Sequence, residues 1–176
     1  MTDNIHIVSV FGSNASEGGA SGEALAEAVG RKLAELGYAV ANGGYGGTME
    51  AGSRGAARAG GHTIGVTCSL WRSKPNPHLC EVIETDCLAD RVRKLAEIAS
   101  GGFVVLPGGT GTLLELAWVW EAMAKKFMPP RPLVCMGEFW RPLVETIASV
   151  RGAHAERVSF AAAADDLERF FPPVAR

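Results

Sequence analysis

Short apolar runs alternate with amphipathic segments along most of the chain. The first run, IHIVSVF at residues 5–11, predicts a buried strand, and Gly22 to Gly37 carries apolar residues at helical spacing before a glycine stop. The same alternation continues to about residue 150. It predicts further strands at 38–41, 62–66, 103–106 and 132–136, and further helices near 48–59, 89–100, 112–126 and 139–150.

This order of elements predicts a doubly wound, mostly parallel, Rossmann-like α/β fold. Strands that alternate with helices at this spacing are joined by right-handed crossovers, and the resulting parallel sheet is covered by helices on both faces. We expect one domain over residues 1–176. Residues 67–86 contain two prolines and little periodicity, which predicts a long loop over the sheet edge or the active face. A short helix and a tail are expected from Ala164 onward.

Composition and charge narrow the function classes. The chain is 47% hydrophobic and 20% charged with a formal net charge of −2, which is typical of a soluble globular protein without a general attraction for nucleic acid. No apolar run approaches the roughly 20 residues of a membrane span, and no secretion signal is recognisable, so we expect a cytoplasmic protein. The four cysteines form no C-x-x-C pair and the four histidines show no H-x-x-x-H spacing, so no metal site is expected.

Three loops that follow predicted strands are rich in small residues. They are FGSNASEGG after the first strand, NGGYGGTME after the second, and LPGGTGTLLE near the middle of the sheet. In such sheets ligands bind outside the carboxyl ends of the strands, and glycines let helix-opening amides approach a phosphate or carboxylate. An anionic ligand is therefore expected. Because neither double-glycine loop has the G-x-x-x-x-G-K-[ST] or G-x-G-x-x-G pattern, a nucleoside triphosphatase and an NAD(P) dehydrogenase are disfavoured.

Glu115 follows the third loop and has two interpretations. It lies three residues after Thr112, which is the spacing of a capping box, so its carboxylate could bond back to the start of the helix. Alternatively, a carboxylate beside a phosphate loop could face the sugar of a bound nucleotide. It would then stabilise the cationic ribosyl carbon formed during glycosidic cleavage and orient the attacking water. The residues alone leave both roles open.

The glycine loops resemble those of a known family. PGGTGTLLE at residues 107–115 matches the P-G-G-x-G-T-x-x-E motif of the LOG ("Lonely guy") family. Residues 43–66 and the segment VFGSNAS at 10–16 are similar to the other two glycine loops of that family, so the resemblance covers about residues 8–137. It implies hydrolysis of the N-glycosidic bond of a nucleoside 5′-monophosphate, such as a cytokinin riboside monophosphate or AMP. The products would be a free base and ribose 5-phosphate.

The wider superfamily keeps a second function open. It includes molybdenum-cofactor carriers, for which the same glycine loops suffice, so the alternative is a non-catalytic protein that binds a nucleotide or the molybdenum cofactor. Some members have been labelled lysine decarboxylases. That label has no support here, because the chain is too short for a pyridoxal-phosphate decarboxylase and no pattern marks a Schiff-base lysine. The proposed hydrolysis requires no metal and no cofactor.

The resemblance also implies a catalytic pair. Glu115 would be the catalytic carboxylate, with an arginine of the preceding helix as its partner. The family segment M-H-x-R-K corresponds here to CLADRVRK, in which Arg91 and Arg93 fall one residue to either side of the family position. A shift of one residue turns a helical side chain by about 100°. Both arginines are therefore candidates, and Arg93, which Lys94 follows as in the family, is slightly favoured.

The remaining site residues follow from the same loops. The helix LLELAWVWEAMAKK at residues 113–126 is unusually apolar for an outer helix, and the resemblance implies a homodimer with this helix near the interface. The tryptophans are expected in the core or at an interface, and Met49 could pack on the base. We expect the 5′-phosphate at Gly108, Gly109, Thr110, Gly111 and Thr112, and the ribose and base at Gly12, Ser13, Gly43, Gly44, Gly47 and Met49.

Overall fold

The computed structural model describes residues 5–14, 19–150 and 156–174. Two predicted parts therefore lie outside the described residues: positions 15–18 of the first glycine loop and the last two residues of the tail. The strands are β1 (Ile7–Phe11), β2 (Ala39–Asn42), β3 (Thr63–Cys68), β4 (Glu81–Thr85), β5 (Gly102–Val105), β6 (Leu133–Met136) and β7 (Ser159–Ala161). The helices are α1 (Gly19–Glu35), α2 (Thr48–Arg58), α3 (Leu88–Ile98), α4 (Thr110–Ala124), α5 (Arg141–Val150) and a 3₁₀ helix (Ala164–Arg169).

The described strands form one sheet in the order β4-β3-β2-β1-β5-β6-β7, and each neighbouring pair is parallel. This confirms the predicted doubly wound α/β fold. β1 lies between β2 and β5, so the chain moves outward in opposite directions from this central strand. The loops that leave β1 and β5 therefore diverge at a topological switch point, where α/β sheets bind their ligands.

The residues of β1 show how one strand serves two cores. Val8 and Val10 belong to the apolar cluster under α1 and α2, whereas Phe11 belongs to the cluster under α3, α4 and α5. Ser9 also faces α3, because its hydroxyl donates a hydrogen bond of 2.7 Å to the carbonyl of Leu95. Both faces of the strand are thus buried, which explains the nearly continuous apolar run in the sequence. Burying one such large side chain contributes about 1.5–3 kcal/mol.

The two edge strands, β4 and β7, are not predicted by the sequence pattern. β4 occupies the last part of the segment expected to be a long loop, so that prediction is wrong for Glu81–Thr85. Most β4 side chains are exposed or half-buried, and charged residues interrupt the apolar ones, as suits the edge of a sheet. β7 has only three residues. Edge strands bury too little surface to need the apolar run by which central strands are recognised.

The other elements lie close to their predicted positions. The largest difference at a helix start is in α1, which begins at Gly19 rather than Gly22. Within the described ranges, no helix combines the length and the apolar composition that crossing a membrane demands.

Candidate active site

A pocket of about 350 Å³ opens where the loops that follow β1, β2 and β5 meet. Its volume is in the range of small-molecule sites. Each of the three glycine loops predicted from the sequence contributes to its wall, and α3 and the segment after β3 complete it. The residues that line it are Gly12, Ser13, Asn14, Tyr45, Met49, Trp71, Ser73, Arg91, Gly109, Thr110, Gly111, Thr112 and Glu115.

Arg91 and Glu115 form a buried ion pair in the wall of this pocket. Arg91 Nη1 lies 3.3 Å from Glu115 Oε1, and each residue is only 5% exposed. The Nε of Arg91 donates a second hydrogen bond, of 2.8 Å, to the carbonyl of Val66 within β3. Nη2 approaches the Met49 sulfur at 3.9 Å. The guanidinium is therefore held by α2, α4 and the sheet together.

The helices place both side chains on their buried faces. α3 begins after Cys87, whose sulfur accepts a hydrogen bond from the backbone N–H of Asp90, and Arg91 follows within the first turn. Arg91 shares the buried face of α3 with Leu95, one turn further on. On α4, Glu115 shares the buried side with Thr112 and Val119. Packing of both helices on the sheet thus brings an acidic and a basic side chain together out of water.

Burial changes the protonation of Glu115. Loss of solvation raises the pKa of this carboxyl to about 7, and the charge and hydrogen bond of Arg91 offset only part of that effect. The group therefore exchanges its proton near neutral pH, where an ordinary glutamate is fully ionised. A carboxyl of this kind, placed in a pocket, is suited to proton transfer and to stabilising a developing positive charge.

The capping interpretation of Glu115 is wrong. α4 begins at Thr110, with Gly109 as the N-cap, and glycine has no side chain with which to cap the helix. Thr112 thus lies inside the first turn, and the carboxylate of Glu115 contacts Arg91 instead of the helix start. The Thr112 hydroxyl is buried, and it has no hydrogen-bond partner among the described residues. Leaving such a group unpaired costs about 1–3 kcal/mol.

Arg93 does not reach the pocket, and the slight preference for it over Arg91 is corrected. Its guanidinium pairs with Asp90 at 3.2 Å and Glu97 at 2.8 Å on the solvent side of α3, with its side chain 53% exposed. Two positions along a helix turn a side chain by about 200°, so both arginines cannot face the sheet. The spacing of Arg91 four residues before Leu95 is the signal in the sequence that could have identified the buried arginine.

Two glycines permit close approaches behind the pocket wall. A side-chain carbon on Gly43 would overlap Arg91 Nη2, and one on Gly12 would overlap the Thr48 hydroxyl. That hydroxyl accepts a hydrogen bond from the Ser13 N–H at 2.8 Å and lies 3.1 Å from the Ser13 carbonyl, to which it donates. Gly12 and Gly43 are therefore positions where any larger residue would displace the wall.

Four of the predicted glycines do not line the pocket, and that expectation is corrected. Gly43 lies behind Arg91, Gly44 packs against β3, and Gly47 packs against the backbone that follows Gly12. Gly108 lies behind the Thr112 side chain. At each of these four positions an added side-chain carbon would overlap a neighbouring group, so glycine lets the loop pack closely there. The other predicted residues, from Gly109 to Thr112 with Gly12, Ser13 and Met49, do line it.

Asn14, Tyr45, Trp71 and Ser73 line the pocket without having been predicted to do so. The Tyr45 and Trp71 rings lie 5.7 Å and 5.1 Å from the Arg91 guanidinium carbon, within cation–π range. Tyr45 lies between two glycine pairs of the second glycine loop, and this position could have identified it from the sequence as a pocket residue. Trp71 lies in the segment that was expected to be a loop over the sheet edge or the active face, but nothing in the sequence assigned its indole to the pocket. Trp120 and Trp140 are buried in the core.

In the part of the chain that the structure describes, no three His, Cys, Asp or Glu side chains come together as ligands for a metal ion.

The family comparison covers most of the chain. Residues 5–147 match the model of the family described as SLOG cluster4. Among curated proteins, the cytokinin riboside 5′-monophosphate phosphoribohydrolase of Mycobacterium tuberculosis is 36% identical over 99 residues. That alignment covers 54% of this chain and 52% of the relative, so the matched part spans about half the length of the curated protein.

Solved structures with the same fold are more distant in sequence. The molybdenum cofactor carrier protein of Chlamydomonas reinhardtii is 24% identical, with a TM-score of 0.75 and 92% of each chain covered. The molybdenum cofactor binding protein of Rippkaea orientalis is 22% identical, with a TM-score of 0.77 and 96% of each chain covered. At these identities the similarity shows the fold alone.

Proposed function

The chain belongs to the SLOG cluster4 family, and from this membership and the geometry of the pocket we propose that it hydrolyses the N-glycosidic bond of a nucleoside 5′-monophosphate. The products are a free base and ribose 5-phosphate. The observation that carries the proposal is the buried pair of Arg91 and Glu115 in a pocket whose wall includes the start of α4. The name of the mycobacterial relative, a cytokinin riboside 5′-monophosphate phosphoribohydrolase, supports the same reaction. The proposed substrate class is a cytokinin riboside monophosphate or AMP.

The phosphate of the substrate binds at the amino terminus of α4. Gly109, Thr110, Gly111 and Thr112 line the pocket there, and the first amides of a helix favour an anion. The buried Thr112 hydroxyl has no partner among the described residues, so a phosphate oxygen would give it an acceptor. Helix amides and hydroxyls can hold a phosphate without the lysine of a P-loop.

Glu115 then faces the ribose. As the bond from C1′ to the base nitrogen breaks, C1′ becomes positively charged, and a nearby carboxylate stabilises that charge in a site sheltered from water. The same carboxylate orients a water molecule, and the oxygen of this water bonds to C1′ as the bond to the base breaks. The water loses one proton and the departing base gains one, so the reaction adds one water in total. Arg91 holds the carboxylate in place through its 3.3 Å contact and keeps part of its population ionised.

A base-release assay tests this function. Purified protein is incubated with AMP, other nucleoside monophosphates and isopentenyladenosine monophosphate, and free base is separated by chromatography. We expect release in proportion to enzyme and time, with a loss on the order of 10²–10³-fold in the Glu115→Gln variant. Glu121→Gln is the matched control, because Glu121 lies on the same helix but is exposed and pairs with Lys125. Failure of every monophosphate to release base would contradict the proposal.

The second candidate function is a non-catalytic carrier of a nucleotide or of the molybdenum cofactor. The observation that favours it is the full-length similarity in fold to proteins named as molybdenum cofactor carriers. Phosphate-binding loops serve a carrier as well as an enzyme. A carrier would show a rise in melting temperature with its ligand but no release of base, whereas the hydrolase would show both.

The protein acts as a homodimer that uses α4. This helix exposes Leu114 and Trp118, and a largely apolar groove of about 660 Å³ lies between α3, α4 and the segment after α4, where Phe127 is 86% exposed. Apolar surface of this kind marks an interaction site. Light scattering should give twice the monomer mass for the wild type and a lower mass for Phe127→Asp. Val150→Asp, which changes an equally exposed residue of α5, should remain dimeric.

A further inference from the structure

The segment between β3 and β4 presents a tryptophan to the pocket. All side chains from residue 69 to residue 75 are exposed, and Trp71 is 42% exposed. Trp71 and Ser73 nevertheless line the same pocket as Arg91 and Glu115. The indole is thus the largest aromatic surface at the pocket that remains in contact with water, since Tyr45 is only 4% exposed.

Hydrogen bonds anchor both ends of this exposed segment. The Ser69 N–H donates to the carbonyl of Thr85 at 2.9 Å, and the Trp71 N–H donates to that of Cys68 at 3.0 Å. At the other end Asn76 is buried, and its backbone N–H donates to the Gly44 carbonyl at 2.8 Å. The Asn76 side chain also donates to the carbonyl of Tyr45 at 3.1 Å. The fold therefore sets the position of the indole even though its surface is exposed.

Trp71 forms an aromatic corner with Tyr45 above the arginine. The two ring centroids are 5.6 Å apart and their planes meet at 51°, so the rings are tilted rather than stacked. Tyr45 is fixed, because its hydroxyl accepts a hydrogen bond of 2.9 Å from the Cys68 N–H and donates to the Cys68 carbonyl at 3.3 Å. Trp71 has no such hydrogen bond to its indole among the described contacts. The exposed part of its ring leaves surface at the pocket against which a planar group can lie.

We propose that Trp71 stacks on the base of the bound nucleotide and thereby makes the protein recognise a planar aromatic base as well as the phosphate and the ribose. The proposal rests on the proposed function, since it takes the ligand to be a nucleotide whose phosphate lies at α4. An aromatic ring accepts any base on its face, so Trp71 contributes affinity for bases as a class. Ribose 5-phosphate has no base, and its binding does not depend on Trp71.

The test compares AMP with ribose 5-phosphate by isothermal titration calorimetry. All titrations use the Glu115→Gln background, so that the nucleotide is not consumed. Trp71→Ala should weaken AMP binding by roughly 10- to 100-fold and leave the affinity for ribose 5-phosphate unchanged. Trp71→Phe should recover most of the affinity for AMP, because it keeps a ring. Leu70→Ala is the matched control, since Leu70 is 71% exposed in the same segment and does not line the pocket.

Three results would overturn the proposal. The first is an unchanged affinity of Trp71→Ala for AMP. The second is an equal loss for AMP and ribose 5-phosphate, which would mean that Trp71 only supports Arg91. The third is the absence of AMP binding even without the substitution at Trp71. The titrations measure binding without turnover, so their outcome is independent of the base-release assay. A wild-type protein that releases no base would contradict the proposed hydrolysis. A selective loss of AMP binding in Trp71→Ala would still support stacking.

Discussion

Helix α3 carries two arginines, two positions apart, that form ion pairs in opposite surroundings. Arg91 and Glu115 pair with side chains that are 6% exposed, whereas Arg93 pairs with Asp90 and Glu97 through side chains that are 45–53% exposed. The buried pair has a carboxyl whose pKa is raised to about 7, chiefly by loss of solvation. At the surface, hydrogen bonds from Cys87 and Arg93 lower the pKa of Asp90.

The difference shows that solvation, rather than the residue types, decides what an ion pair can do. Water screens the surface pair and competes for its hydrogen bonds, so such a pair contributes little to stability and nothing to chemistry. Burial of the Arg91 pair is unfavourable for two charged groups unless their interactions compensate for the lost solvation. Its position in the wall of a pocket, together with the raised pKa of Glu115, is the combination on which the proposed function rests.

The largest expected effect separates the two arginines directly. Arg91→Met should lower kcat/KM for base release on the order of 10²–10³-fold, because it removes the group that positions and ionises Glu115. Arg93→Met should leave kcat/KM unchanged, since its contacts are on the solvent side of α3. Steady-state kinetics with AMP, together with circular dichroism to verify folding, measure both. Equal losses of kcat/KM in the two variants would show that the burial of Arg91 beside Glu115 does not distinguish it functionally from the exposed Arg93.

A smaller effect is expected when Arg91 is displaced rather than removed. A methyl group at Gly43 would overlap Arg91 Nη2 and lie 2.5 Å from the Met49 sulfur, so Gly43→Ala must move the guanidinium. Misplacement of a catalytic group by about 1 Å can cost on the order of 10²-fold in rate. Gly52→Ala is the control, because the nearest atom to its added carbon is the Ala26 carbonyl oxygen at 3.7 Å. Normal kinetics in Gly43→Ala would contradict the assigned role of Arg91.

The pH dependence of kcat/KM should show the smallest change, and it tests whether the buried carboxyl titrates differently from those at the surface. The proposed reaction uses the ionised form of Glu115, and burial raises the pKa of this carboxyl to about 7. Log kcat/KM should therefore rise with pH below about 7 and level off above it, with a change of roughly tenfold between pH 6 and pH 8. The inhibition constant of ribose 5-phosphate over the same range corrects for titration of the phosphate. A profile that is flat above pH 5 would place Glu115 in surroundings like those of the surface carboxylates.

Several features of the fold could be predicted from the chain because they depend on local patterns. The central strands are buried on both faces, so each appears as an apolar run, as in β1 and β6. The edge strand β4 is mostly exposed and mixes charged with apolar residues, so its pairing with β3 becomes evident only in the sheet. The glycine loops were also predictable, since tight turns and helix starts require particular residues at adjacent positions.

The sequence by itself thus determined the order of the helices and of the five inner strands, the three glycine loops and Glu115 as a candidate catalytic group. Only the tertiary structure decided that Arg91 rather than Arg93 faces the pocket, and that Tyr45 and Trp71 border it. It also decided the pKa of Glu115, because the loss of solvation that raises this pKa comes from elements far apart in the chain. Local patterns specify elements and turns, whereas burial and the meeting of distant side chains exist only once those elements have packed.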